Sequence, residues 1–176
     1  MFLWPSIAVC ILFFFGFLLV AWLCAIDLKL RLLPDELVFA LAVCGVLFRW
    51  AAWPYVGPWW DAAAGAAAGA GALGLIRLVA NRIYGFETMG LGDIKLIGAA
   101  GIWLGLEGAI EALCAGAMMG LLHGIALLVW QRCRNGKSDS FREMTIPAGP
   151  GFCAGAVLVA VIRFAPALPL FATGAG

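Results

Sequence analysis

The sequence predicts an all-α, polytopic integral membrane protein with about six transmembrane helices. Three observations carry that prediction. Of 176 residues, 65% are apolar and only 12% are charged, about half the charge that a soluble domain uses to cover its surface. Mean hydropathy over the whole chain is +1.05. The apolar residues also gather into successive long runs separated by polar, charged or proline-bearing segments. The 11 basic and 10 acidic residues nearly cancel, which argues against nucleic acid as a partner and points to the lipid bilayer. Length allows one domain.

Each run is measured against the roughly 20 apolar residues that a spanning helix needs. The first covers 6–26. Residues 1–5 lack the basic flank of a signal peptide, and Leu23 before Cys24 spoils a lipoprotein-type cleavage box, so this run is expected to stay as a helix. The second covers 37–53 and the third 62–80. The fourth, 94–106, makes only about 20 Å of helix against a hydrocarbon core of about 30 Å. Either it continues through Glu107 to Ile110, or its inner end starts below the membrane surface, with Asp93 at the rim of a water-accessible cavity. The fifth run covers 112–130 and the sixth 148–164. Small-xxx-small pairs recur in them: Gly65/Gly69, Gly101/Gly105, Gly116/Gly120, Gly120/Gly124 and Gly151/Gly155. In lipid such pairs let helix backbones approach closely, and no phosphate loop is present.

An even number of spans puts both termini on one side. With the termini outside, segments 27–36, 77–95 and 131–145 lie inside and hold nine basic residues, whereas the outer side holds Arg49 and Arg163. That is a positive-inside distribution. Trp50, Trp53, Tyr55, Trp59 and Trp60 then form an aromatic belt at the outer interface. The six cysteines contain no Cys-x-x-Cys, which argues against a zinc site or a disulfide framework. His123 reads as a packed helix-contact residue with no partner nearby in sequence.

Two carboxylates stand out. Asp27 directly follows the apolar run 17–26, and Asp93 closes Gly90-Leu91-Gly92 and opens the fourth span. Acids at membrane depth are costly, so each is a site candidate, and the topology brings both to the inner face. Taken singly, Asp93 also suits a plain helix N-cap, and Asp27 an interfacial charge paired with Lys29 or Arg31.

Three motifs together carry a resemblance. Gly90-Leu-Gly-Asp93-Ile-Lys95-Leu96 resembles the signature of type IV prepilin peptidases, GxGD-type aspartyl proteases of the bacterial inner membrane. The family's other aspartate precedes an Ile-Pro-Asn-like turn, and here Asp27 precedes Leu33-Pro34-Asp35. Its last helix opens with a Pro-Phe-Gly-Pro-like turn, and this chain has Ile146-Pro147-Ala148-Gly149-Pro150. The departures are Asp35 in place of Asn and Ala148 in place of Phe.

The resemblance implies a single transmembrane prepilin peptidase domain over 1–176, with Asp27 and Asp93 catalytic and no metal or cofactor. Its substrates would be prepilins or pseudopilins of a type IV pilus or protein secretion system, cut on the cytosolic face between a short basic leader and a hydrophobic helix. Asp35, Glu36, Glu87, Asp139 and Glu143 lie on that side and would attract the leader. Two-aspartate hydrolysis needs one ionised and one protonated carboxyl. A helix N-terminus favours the anion and a C-terminus disfavours it, which assigns Asp93 as base and Asp27 as acid. Gly90 and Gly92 are expected to adopt left-handed angles and to let a peptide approach Asp93. Longer relatives carry an N-terminal Cys-x-x-Cys region and also N-methylate. Here the chain enters the membrane almost at once, so cleavage without methylation is expected. The alternative is a small proton- or ion-coupled transporter, which would want acids near mid-membrane and repeated halves. Pro166-Ala167-Leu168 matches a motif of presenilin-like proteases but falls at the opposite face from both aspartates, and is read as coincidence.

Overall fold

A computed structural model describes residues 4–30, 33–53, 56–87, 90–135 and 149–164. They form five helices in chain order: α1 (Trp4–Leu30), α2 (Asp35–Ala51), α3 (Trp59–Tyr84), α4 (Leu91–Asn135) and α5 (Gly149–Phe164). Proline and glycine set several of the boundaries. Pro34 and Pro58 stand in extended conformation before α2 and α3, where a missing N–H costs nothing. Gly85 closes α3 in the left-handed conformation and donates its N–H to the Asn81 carbonyl at 2.9 Å.

The chain is an all-α, multi-pass membrane protein, but the expectation of about six spans is corrected. Among the described residues, three helices are long and apolar enough to cross a membrane: Ile7–Leu30, Trp59–Tyr84 and Leu91–Leu127. The runs 94–106 and 112–130 fall in one helix, α4, which has no loop at 107–111 and contributes a single apolar segment, Leu91–Leu127, with a break at Gly105. Glu107 and Glu111, which look like a span terminus in sequence, sit on the helix surface and bind Arg163 of α5 at 3.4 and 2.9 Å. With 17 and 16 residues, α2 and α5 are shorter than the roughly 20 residues of a typical span.

Within α4 one residue departs from helical geometry. Gly105 has φ 74° and ψ −175°, angles that a residue with a Cβ rarely adopts. It divides α4 into two arms, 91–104 and 106–135, called inner and outer only by their order along the chain from Asp93.

Glycine contacts hold the two arms against different neighbours. A Cβ on Gly65 of α3 would lie 2.5 Å from the Gly101 carbonyl oxygen, and one on Gly69 2.8 Å from Ile97. A Cβ on Gly116 of the outer arm would lie 2.6 Å from Phe152 of α5, and one on Gly151 2.7 Å from the Gly120 backbone nitrogen. These are close helix seams of the kind small residues permit, backbone to backbone at Gly65 and Gly151 and backbone to side chain at Gly69 and Gly116. Gly71 and Gly74 have open space where a side chain would go. Replacing Gly65 by Ala is therefore expected to destabilise by about 1–3 kcal/mol, whereas Gly74→Ala is neutral. Melting of both variants in detergent checks this.

The core gathers around Trp103. Its ring stacks on Phe48 at 4.9 Å between centroids, and Phe164 meets Phe48 edge-on at 5.1 Å. The indole N–H donates to the Leu41 carbonyl at 2.9 Å. Gly16 and Gly45 leave the room that this ring fills. His123 is exposed on the outer arm and does not pack against another helix as expected. Trp50, Trp53, Trp59 and Trp60 are exposed where α2 ends and α3 begins.

Candidate active site

Asp27 lies in the last turn of α1, and Asp93 in the first turn of α4. Both are buried, at 5% and 6% exposure. The residue between them is Gly149, the first of α5. A Cβ there would press into the Asp27 carboxylate and lie 3.1 Å from Asp93 Oδ1. Three helices thus bring two carboxylates to one point, and the absent side chain at 149 is what leaves room for them.

The start of α4 is held from the side of α2. Gly92 packs against Leu33, whose Cβ would be 2.9 Å from a Cβ at 92. Lys95 Nζ donates to both oxygens of Asp35 at 2.7 Å. This pair is half-exposed or more on each side, so its worth is at most about 1 kcal/mol, and its effect is alignment. Asp35, the position at which the chain departs from the expected Asn, is therefore engaged with Lys95.

The expectation for the two motif glycines is corrected. Among the described residues the positive-φ glycines are Gly57, Gly85 and Gly105, and neither Gly90 nor Gly92 joins them. At Gly92 the space goes to Leu33 rather than to an approaching peptide.

About one turn from the carboxylates along their helices, Cys24 of α1 and the buried Cys153 of α5 face each other. Glu36 is exposed nearby at the start of α2, and Glu87 accepts from Arg77 at 3.0 Å. Asp139, Glu143, the Ile146-Pro147-Ala148 part of the last turn and Pro166-Ala167-Leu168 lie outside the described residues.

Two features escape a reading of the sequence. Gly149 is visible there only as part of a turn motif, and its contact with both carboxylates needs the fold. Arg49, buried, and Asp61, partly exposed, form an ion pair of 3.2 Å that a count of loop charges passes over. A cation close to an apolar run was the available signal.

Comparison with known proteins gives the family. Residues 8–125 match the profile of the type IV leader peptidase family. A prepilin leader peptidase/N-methyltransferase of Pectobacterium carotovorum subsp. carotovorum is 36% identical over 142 residues, which cover 81% of this chain and 47% of the relative. Its counterpart in Aeromonas salmonicida is 35% identical over 136 residues, 75% of this chain and 46% of the relative. A Klebsiella pneumoniae protein of the same name is 41% identical over 91 residues, 52% of this chain and 39% of the relative. The chain spans about half the length of the first two. No solved structure matches. On the profile match and the identities together, the chain belongs to the type IV leader peptidase family.

Proposed function

We propose that this chain is a membrane aspartyl endopeptidase that removes the short leader from type IV prepilins or pseudopilins, with Asp27 and Asp93 as its catalytic pair. The observation that carries the reading is the meeting of two buried carboxylates, from α1 and α4, at Gly149. The names of the relatives supply the substrate class.

The chemistry follows from the pair. The ionised carboxylate takes a proton from water, whose oxygen adds to the scissile carbonyl carbon. The protonated carboxyl then delivers its proton to the amide nitrogen as the C–N bond breaks. Asp93, beside the free N–H groups of a helix start, is the base, and Asp27, in a last turn, is the acid. After each turnover the two have exchanged protonation states, and water resets them. A transporter would place its acids near mid-span, whereas these sit at helix ends.

The positive-inside distribution of the loop charges supports a site on the cytosolic face of the bacterial inner membrane. The whole of 1–176 acts as one peptidase domain. The exposed Glu36 at the mouth suits a basic leader.

The test is incubation of the purified protein in lipid with a prepilin, followed by mass spectrometry of the products. A single new N-terminus at the junction of leader and apolar helix is expected, and uncut prepilin would refute the reading. With S-adenosylmethionine supplied, the new N-terminus is expected without an added methyl group. The short segments between these helices leave little chain for a nucleoside-sized pocket.

A further inference from the structure

A break inside an apolar helix leaves carbonyls before it and N–H groups after it without helical partners, and lipid offers none. In α4 groups on both sides of the break are met by one ion pair from the neighbouring helices, in which Arg49 is buried and Asp61 partly exposed. Arg49 of α2, 2% exposed, reaches the Ile102 and Trp103 carbonyls at 3.4 and 3.5 Å. It also donates to the Val56 and Pro58 carbonyls at 2.7 and 3.1 Å and to Asp61 Oδ2 at 3.2 Å. Asp61 of α3 accepts the Leu106 N–H on Oδ1 at 2.9 Å. The pair therefore grips the last carbonyls of the inner arm and the first N–H of the outer arm at once.

What this grip controls is visible in what each arm carries. Asp93 stands on the inner arm, which is seamed to α3 through Gly101 and Ile97. Gly149 belongs to α5, which is seamed to the outer arm through Gly116 and Gly120. The angle at Gly105 thus sets where Asp93 falls relative to Gly149, and with it whether the carboxylates meet. Axial register matters as well. A slip of one residue along a helix moves a side chain by 1.5 Å and turns it by 100°.

We infer that Arg49 and Asp61 are positioning residues, which clamp the Gly105 break and so hold Asp93 against Gly149 and Asp27. The inference rests on reading Asp27 and Asp93 as the catalytic pair, but its geometric core is testable without activity.

The experiment uses the full chain in lipid, with its six cysteines replaced and spin labels placed at positions 91 and 158. Leu91 of the inner arm and Leu158 of α5 are both exposed. The parent is expected to give one narrow distance. Asp61→Ala is expected to shift or broaden it and to lower kcat about 100-fold, as an ångström-scale misplacement does, with KM unchanged. Asp61→Asn, which keeps an acceptor for the Leu106 N–H, should fall between the two. Arg49→Lys, a point charge unable to reach all five acceptors, should resemble Asp61→Ala. If Asp61→Ala does not insert, the Asn and Lys forms carry the test. An unchanged 91–158 distance in the variants that do insert overturns the inference, whatever the activity. A shifted distance in a protein that cleaves nothing in any form upholds the clamp and refutes the peptidase reading instead.

Discussion

Asp27→Asn and Asp93→Asn are each expected to yield an inserted, folded protein whose cleavage of prepilin falls by about 10³-fold or more. An amide keeps the shape of the carboxyl and much of its hydrogen bonding, so packing around Gly149 survives. It can neither take a proton from water nor deliver one to a leaving amine. The two substitutions should also fail to add. Once one partner is gone the other has no complementary step to perform, so the double variant is expected to be no worse than either single one. Prepilin processing by purified single variants in proteoliposomes measures this. Robust cleavage by either one would remove that aspartate from the reaction.

Gly149→Ala is expected to be nearly as damaging to turnover, for a different reason. The added methyl would press into the Asp27 carboxylate and lie 3.1 Å from Asp93 Oδ1. Neither group is the far end of a flexible side chain, since both are short and buried. The start of α5 must therefore move, and displacement on this scale costs about 100-fold in rate. The accompanying loss of stability is the smaller overpacking cost of about 1–3 kcal/mol. Ala154→Leu, one turn along on the exposed side of α5, controls for substitution in this helix and should change neither quantity. Turnover per folded molecule, with melting followed in parallel, separates the two effects. Full activity in Gly149→Ala would show that the carboxylates do not need the space that the glycine leaves.

How far the sequence reaches into this fold depends on whether the deciding interaction is local. The turns before α2 and α3 are readable because Pro34 and Pro58 act within their own segments. Asp27 and Asp93 are conspicuous because an acid beside an apolar run is expensive wherever it lies. The misjudged span boundary at 107–111 has a tertiary cause. Two glutamates look like an exit from the membrane until Arg163, far along the chain, is seen to meet them. The break at Gly105 was hidden for the same reason. Its partners Arg49 and Asp61 come from two other helices, and each taken alone reads as an ordinary surface charge. Gly90 and Gly92 invited a backbone argument, but a side chain from the segment between α1 and α2, Leu33, had already claimed the room at 92.

The assembly of the site from the first, fourth and fifth helices has a consequence for biosynthesis. Chains emerge and fold from the N-terminus, so α1 to α4, with both aspartates, leave the ribosome before residue 149 does. A nascent chain at that stage holds two acids that lack the wall against which they meet. The outer arm of α4 also still awaits Phe152, the neighbour that fills its groove at Gly116. On the peptidase reading, competence to cut a peptide bond is thus conferred only once α5 has been made. Incomplete or stalled products would sit in the membrane with the reactive groups present and no finished site.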